Sequence, residues 1–386
     1  MNRRFAVIAL VLIASAATAQ VPPVVPPPPA GVQQQPQRGR GSGREMWRTA
    51  ADTQRARQLF VSKDTTDLPK LVNDSSGIAS RLRTEAFFAE KSKGVMDFQI
   101  VTYKSGVDGL EIPAYVFSPL TKRGARGHAA MVWVHGYVHG RFEDRQLVWV
   151  KEAVARGYVI VTPQYRGSTG YTADFYNAID YGGKEVDDVY SAYDFIKRSL
   201  PYVDPDRVGI MGWSHGGFIS SHILFRENQP FKAGAPIVPV TNLFFRLSLK
   251  GPGYQRGFST QPGLQGLPFE KPEEYIKRSP VFHAANLKVP ILVHVATNDC
   301  DVDFIENQQM VYTLRALHPT LADTKIYVDP PFLQALGGCG HTFSERVVLD
   351  RSSPRYMERD DTPEQIDAWN RIWAFFGRNL RPEKDK

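Results

Sequence analysis

The chain has 386 residues, of which 42% are hydrophobic and 23% are charged. This is the composition of an ordinary globular protein, with enough length for one large catalytic domain or two small ones. The formal net charge is +7, but five of the 47 basic residues and none of the 40 acidic ones lie in residues 1–44, so the remainder carries only +2. With so small an excess of positive charge, the folded part gives no indication of a nucleic-acid partner, and none is expected.

Residues 1–19 have the pattern of a secretory signal peptide. Two arginines precede an apolar run at 5–14, and a small-residue cleavage site ends at Ala19. We therefore expect cleavage after Ala19 and a secreted or periplasmic protein with no stable membrane anchor afterwards. The alternative is an uncleaved anchor, which the shortness of the apolar run disfavours.

Three further segments follow along the chain. Residues 20–44 are rich in Pro, Gln, Gly and Arg, cannot bury apolar surface, and are predicted to form a disordered linker. Residues 45–95 are predicted to form a helical N-terminal extension, with helices at 45–60 and 78–91. Residues 96–380 alternate short β-rich runs with amphipathic helices and form the predicted catalytic domain.

The alternation within the catalytic domain predicts an α/β fold. The predicted strands lie at 98–103, 112–117, 130–134, 159–162, 208–211, 237–240, 291–295 and 325–328. The predicted helices lie at 143–156, 184–199, 216–227, 302–317 and 363–379. Several strands are continuous apolar runs, which indicates coverage on both faces and hence a doubly wound, mostly parallel sheet. Residues 244–275, which contain five glycines, are predicted to be a lid or pocket wall.

The candidate nucleophile is Ser214, in the pattern Gly212-Trp213-Ser214-His215-Gly216. An apolar strand precedes this pattern and a helix follows it, as a nucleophile elbow requires. A side chain at Gly212 or Gly216 would collide with the neighbouring backbone in so tight a turn. The alternative is a glycine-rich turn without chemistry, which this context disfavours.

The order of an α/β-hydrolase triad, serine then acid then histidine, directs the search for the partners. Asp299 comes first after the strand 291–295, whereas Asp301 and Asp303 are interpreted as the cap and first-turn acids of the next helix. His341 is the histidine that follows the last strand. We expect His341 to act as the base and Asp299 to orient it.

The oxyanion hole is predicted from two segments. In this fold, one N–H comes from the residue after the nucleophile, here His215, and another from the loop after strand 130–134. That loop offers the N–H of Gly136 or Tyr137, with the Tyr137 hydroxyl as an alternative donor, or it is a plain strand-to-helix loop. No spacing of histidines supports a metal site, and no cofactor is expected.

Four blocks resemble the catalytic domain of the prolyl oligopeptidase family of serine peptidases. They are Tyr165-Arg166-Gly167-Ser168-Thr169-Gly170-Tyr171, residues 204–217, Arg278-Ser279-Pro280, and the acid loop 299–304 of the form D-x-x-V-x-F. The resemblance covers residues 96–380 and also selects Asp299. The family's His-Gly-Gly-Pro loop reads His-Gly-Tyr-Val at 135–138. Members often carry an N-terminal β-propeller, whereas about 50 helical residues are predicted here, so a catalytic domain without the propeller is expected.

The two cysteines, Cys300 and Cys339, are predicted to form a disulfide. Cys300 directly follows Asp299 and Cys339 lies two residues before His341, so an acid–base hydrogen bond would bring their loops together. An exported protein can keep such a pair oxidised. The alternative is two free buried thiols.

The resemblance implies a serine peptidase that cleaves peptide bonds through an acyl-enzyme. A secreted carboxylesterase acting on aryl, acyl or carbohydrate esters is the alternative within the same fold. A non-catalytic, hydrolase-like binding protein is a third reading, which has no need of Ser214, Asp299 and His341 together. The expected partner is therefore a peptide or a small ester.

Overall fold

The structure, a computed structural model, describes residues 75–333 and 339–382. Eight strands form one sheet. They are β1 (Asp97–Lys104), β2 (Glu111–Ser118), β3 (His128–Val134), β4 (Val159–Pro163), β5 (Val203–Trp213), β6 (Gly234–Ile237), β7 (Ile291–Ala296) and β8 (Ala322–Tyr327). The order across the sheet is β1-β2-β4-β3-β5-β6-β7-β8.

Seven of the eight strands run in the same direction, and β2 runs opposite to them. β1 pairs with β2, and β2 with β4, in antiparallel register, while the strands from β4 to β8 across the sheet pair in parallel. β5 lies near the middle, between β3 and β6. The carboxyl ends of β3, β5 and β7 therefore meet at one edge of the sheet, which is where this type of fold builds its sites.

Helices cover both faces of the sheet. They are α1 (Ser75–Ser92), α2 (Leu147–Ala155), α3 (Ala173–Asn177), α4 (Lys184–Ser199), α5 (His215–Leu224), α6 (Leu243–Leu249), α7 (Pro252–Ser259), α8 (Pro272–Lys277), α9 (Phe304–Leu317) and α10 (Pro363–Leu380). Alternate residues of the strands enter two apolar cores: α4, α5 and α9 pack over one face, and α1, α2 and α10 over the other. Among the described residues, no helix has the length and apolarity needed to cross a membrane.

The α/β fold and all eight strands are confirmed, with two differences. The predicted strand 237–240 is instead Gly234–Ile237, because the chain turns at Val238, whose φ is +41°. The predicted lid 244–275 contains three short helices, α6 to α8, rather than loop alone, and they border an apolar cavity of about 750 Å³.

Of the predictions for the N-terminal part of the chain, only the helix at 78–91 lies within the described residues. α1 includes the predicted helix 78–91 and packs through Phe88 against Phe98 and Tyr115. The predicted signal peptide, the linker and the helix 45–60 lie outside the described residues.

Candidate active site

Ser214 lies in a sharp turn between β5 and α5. Its φ and ψ are +56° and −118°, a conformation that non-glycine residues rarely adopt. The Ser214 N–H donates to Ile237 O at 3.0 Å, so the neighbouring strand β6 supports the strained backbone. Such a residue, held at the end of a central strand, is what a nucleophile elbow requires.

The two elbow glycines allow this turn to form. A Cβ at Gly212 would overlap with the backbone of Gly216, and one at Gly216 would overlap with the carbonyl oxygens of Val134 and His135 at the end of β3. The backbones of β3, β5 and α5 therefore approach more closely than any side chain would permit.

Asp299 and His341 form a direct hydrogen bond. The His341 Nδ1 lies 2.8 Å from Asp299 Oδ2, and Asp299 Oδ1 accepts the N–H groups of Asp301 at 2.9 Å and Val302 at 3.0 Å. The Asp299 side chain is fully buried. A carboxylate held in this way fixes the imidazole tautomer that carries its proton on Nδ1 and leaves Nε2 to accept one.

The loop that contains His341 and Ser344, here called the base loop, also contacts the turn at Ser214. The Trp213 Nε1, in the residue before Ser214, donates to Ser344 Oγ at 2.9 Å, and Trp369 Nε1 of α10 donates to Ser344 O at 2.8 Å. Trp213 and Trp369 stack with 5.3 Å between their ring centroids. α10 therefore anchors the segment after His341 against the segment before Ser214.

The protonation of His341 is governed by burial and by two carboxylates. Burial of the ring disfavours the charged form, but the negative charges of Asp299 and Asp301 outweigh it and raise the pKa of His341. Asp301 Oδ2 lies 3.7 Å from His341 Nε2.

We expect kcat/KM to fall at low pH with a midpoint above 6.5, the ordinary pKa of histidine, because only the neutral imidazole can act as the base. Asp301→Asn removes one negative charge and should move this midpoint to lower pH. The pH profiles of the two proteins provide the measurement. A midpoint below 6.5, or one unmoved by the substitution, would contradict this account.

The candidate oxyanion loop packs directly on the nucleophile. A Cβ at Gly136 would lie 3.5 Å from Ser214 Cβ, and Tyr137 has a φ of +62°. The Tyr165 hydroxyl donates to Tyr137 O at 2.5 Å, which fixes that peptide. Within residues 75–333 and 339–382, neither the N–H of Tyr137 nor that of His215 donates a hydrogen bond. Both are therefore able to donate to an oxyanion.

The sequence analysis assigned a function to the backbone N–H of His215 and none to its imidazole ring. In the structure, the ring packs in the core. It is buried beside Tyr181 and Phe218, with ring centroids 4.7 Å and 5.1 Å away, and its Nε2 lies 3.6 Å from Glu185 Oε1. Burial lowers the pKa of His215 to about 3, so the ring is neutral at physiological pH.

Cys300 and Cys339 are joined in a disulfide, with 5.7 Å between their Cα atoms. The base loop is also tied to the acid loop by its backbone, since Gly340 N donates to Asn298 O at 3.1 Å. The bridge thus joins the loop of Asp299 to the loop of His341.

Reduction of the disulfide should destabilise the protein. The bridge closes a loop with a sequence separation of 39 residues, for which the chain-entropy model gives about 4 kcal/mol of unfolding free energy. Denaturation curves with and without reductant measure the loss. The double variant Cys300→Ser, Cys339→Ser is the control, and its curve should not respond to reductant. Equal stability of the oxidised and reduced wild type would contradict the prediction.

The interpretation of Asp301 as a helix cap or first-turn acid is wrong. Asp303 is the N-cap residue of α9 and pairs with Lys250 at 2.5 Å, whereas Asp301 precedes the cap and lies beside His341.

The sequence analysis did not identify Arg246 of α6 as a residue near the site. Its Nη1 donates to Asp301 O at 3.2 Å, and its Nε donates to the Tyr254 hydroxyl at 2.7 Å. The sequence feature that could have pointed to Arg246 is the presence of a charged residue in the mostly apolar stretch 243–249.

Comparison with known proteins relates part of the chain to one family. Residues 144–330 match the model of the prolyl oligopeptidase family. This matched region, which contains Ser214 and Asp299, is similar to that family. The acylaminoacyl peptidase solved with Z-Gly-Gly-Phe-chloromethyl ketone superposes with a TM-score of 0.58 at 23% identity, over 78% of this chain and 44% of that one. A Mycobacterium tuberculosis puromycin-hydrolyzing peptidase gives a TM-score of 0.58 at 20% identity, over 73% and 39%. These likenesses show the α/β-hydrolase fold.

Sequence relatives agree with this similarity. The chain is 30% identical over 241 residues to the uncharacterized peptidase YuxL of Bacillus subtilis, covering 61% of this chain and 35% of the relative. It is 32% identical to dipeptidyl aminopeptidase BIII of Pseudoxanthomonas mexicana, over 42% and 24%. It is 26% identical to the acylamino-acid-releasing enzyme of Homo sapiens, over 59% and 31%. The chain thus spans about a quarter to a third of the length of these relatives.

Proposed function

We propose that this chain is a serine peptidase that hydrolyses peptide bonds through an acyl-enzyme on Ser214. The observation that carries the proposal is the 2.8 Å hydrogen bond between His341 Nδ1 and Asp299 Oδ2. The loop of His341 is in turn hydrogen-bonded, through Ser344, to Trp213, the residue before the strained Ser214. A binding protein would have no need of this combination.

The reaction begins with transfer of the Ser214 hydroxyl proton to His341 Nε2 as Oγ attacks the scissile carbonyl carbon. Asp299 stabilises the imidazolium that forms. The N–H groups of His215 and Tyr137 donate to the oxyanion, and the N-terminal end of α5 adds a favourable field.

Collapse of the tetrahedral intermediate breaks the C–N bond. The imidazolium gives its proton to the leaving amine, which departs and leaves an ester on Ser214. Water then enters, His341 removes its proton, and hydroxide attacks the ester carbonyl. The second intermediate expels Ser214 Oγ, which regains a proton from His341.

A substrate panel tests the peptidase assignment. Wild type should turn over short peptide 4-nitroanilides, and Ser214→Ala should not. Aryl and acetyl esters belong in the same panel, because an activated ester is attacked by the same serine with a lower barrier. Turnover of esters alone would overturn the peptidase assignment and favour a carboxylesterase.

We also propose that the chain is exported and acts in the periplasm or outside the cell, on the basis of the signal-peptide pattern in residues 1–19. The intact mass of protein recovered from the periplasm of a bacterial host should correspond to a chain that begins at Gln20. Retention of residues 1–19 in the cytoplasm would contradict export.

A further inference from the structure

The loop after β3 holds Tyr137 in a backbone conformation that residues with a Cβ rarely adopt. Its φ of +62° lies in the left-handed region. The His-Gly-Gly-Pro loop of the prolyl oligopeptidase family has glycine at this position, and glycine adopts such a φ freely. The loop of this chain therefore needs contacts that a glycine would not require, and three side chains around it supply them.

The peptide that carries the Tyr137 N–H is held by the imidazole of His135. The ring Nδ1 lies 2.9 Å from Gly136 O. A carbonyl oxygen can only accept a hydrogen bond, so Nδ1 carries the proton and donates it. In a trans peptide the C=O and the N–H point in opposite directions, so holding Gly136 O also fixes the direction of the Tyr137 N–H. That N–H is one of the two donors to the oxyanion in the mechanism above.

The hydroxyl of Ser168 fixes the tautomer of His135. The Ser168 Oγ lies 3.0 Å from His135 Nε2, and both side chains are buried. Burial lowers the pKa of His135 to about 3, so the ring is neutral and Nε2 is left to accept the Ser168 proton. The carbonyl oxygen of Tyr165 is also within reach of the hydroxyl, at 2.7 Å, but it already accepts the Ser168 N–H at 3.0 Å and needs no second donor.

Tyr165 holds both the His135 ring and the next peptide of the loop. The two rings stack, with 4.2 Å between their centroids and 14° between their planes. The Tyr165 hydroxyl donates to Tyr137 O at 2.5 Å. The carbonyls on both sides of the Tyr137 Cα are thus held by side-chain donors. These contacts give a role to the sequence block at 165–168, which the mechanism above does not use.

We infer that His135 and Ser168 form a positioning pair for the oxyanion hole, in which Ser168 fixes the tautomer of His135 and His135 aims the Tyr137 N–H at the oxyanion. The inference rests on the proposed function, because only a reaction that forms an oxyanion uses this N–H. Both residues act through the peptide of the loop rather than on the reacting atoms. Their loss should therefore slow the chemical step and leave ground-state binding of the substrate largely unchanged.

The first test replaces the ring and separates kcat from KM. His135→Phe keeps the stacking on Tyr165 and removes the donor, so it should lower kcat for a peptide 4-nitroanilide about 10- to 100-fold and change KM less than about threefold. His135→Asn places an amide N–H near the position of Nδ1 and should recover most of this loss. A peptide boronic acid forms an adduct on Ser214 with an oxygen in the oxyanion hole, and its affinity should fall in His135→Phe by about the same factor as kcat.

The matched control is His128, at the opposite end of β3. It is also buried, its Nδ1 lies 2.8 Å from Gly157 O, and its Nε2 accepts the N–H of Arg123 at 3.1 Å. His128→Phe therefore removes the same kind of donor from a glycine carbonyl at the end of the strand that does not face the site. It should lower the melting temperature, as His135→Phe does, but leave kcat within about twofold.

A second variant keeps the inference testable if His135→Phe does not fold. Ser168→Ala retains the ring and removes the group that fixes its tautomer, so it should lower kcat about 3- to 10-fold. Ser221→Ala is the control, because it removes a buried hydroxyl that donates to Gly217 O at 2.8 Å. The control should leave kcat within about twofold.

The outcomes that overturn the inference are distinct from those that overturn the proposed function. Wild-type kcat in folded His135→Phe or in Ser168→Ala, an equal fall in His128→Phe, or a His135→Asn protein no more active than His135→Phe would overturn the positioning pair. If wild type cleaves only aryl esters, the peptidase assignment fails, and the same comparison on the ester decides the inference because ester hydrolysis forms the same oxyanion. If wild type cleaves neither, the proposed function fails, and the boronic acid affinities decide the inference.

Discussion

His341→Ala will lower kcat/KM for a peptide anilide about 10⁴- to 10⁶-fold. Without the imidazole, no group removes the Ser214 proton during attack or protonates the leaving amine. The hydrogen bond to Asp299 also disappears, although Asp299 still accepts the N–H groups of Asp301 and Val302. The acid loop should therefore keep its shape, and steady-state kinetics on a folded variant provide the measurement.

The matched control for this substitution is His283→Ala. His283 is half-buried, its ring nitrogen Nε2 lies 2.9 Å from the main-chain oxygen of Lys277, and it belongs to neither triad loop. Its loss should leave kcat/KM within about twofold, as for an ordinary surface substitution. Retention of more than a hundredth of wild-type activity by His341→Ala would contradict the assignment of the base.

Asp299→Asn should reduce kcat about 10⁴-fold while leaving the fold intact. The asparagine Oδ1 can still accept from the N–H groups of Asp301 and Val302, so the loop keeps its hydrogen bonds. Its amide nitrogen, however, presents a donor to His341 Nδ1. That nitrogen then becomes an acceptor, the proton moves to Nε2, and the imidazole can no longer accept the proton of Ser214.

Asp303→Asn separates this effect from a general change of charge in the loop. Asp303 lies four residues from Asp299 and pairs with Lys250, so its neutralisation should cost little activity. Kinetics and thermal denaturation of both variants are required. An Asp299→Asn protein as active as Asp303→Asn would show that Asp299 does not orient the base.

The turn at Ser214 and the pairing of Asp299 with His341 could be predicted, because the turn depends on a short local pattern and the pairing on the order of residues along the chain. The elbow at Ser214 needs a strand, two glycines and a helix within a short segment, and its strained φ follows from that geometry. Asp299 and His341 follow from their order after the last strands. The disulfide was predictable for the same reason, since it depends on the two loops that the triad joins.

The features that the sequence did not reveal depend on contacts between distant segments. Asp301 and Asp303 look equivalent in the sequence, but one lies beside His341 and the other pairs with Lys250. Arg246 approaches Asp301 across 55 residues of chain. The helices α6 to α8 have six to eight residues each, which is too short for a clear apolar period, and glycines obscured them further.

The most direct test of the central claim is the site of covalent labelling. Folded wild type is treated with a fluorophosphonate, digested with trypsin, and the peptide 208–226 is sequenced by tandem mass spectrometry, which distinguishes Ser214 from Ser220 and Ser221. We predict a single adduct on Ser214 that is much slower to form in His341→Ala. No adduct on the folded wild type, or an adduct on another serine, would contradict the assignment of Ser214 as the nucleophile.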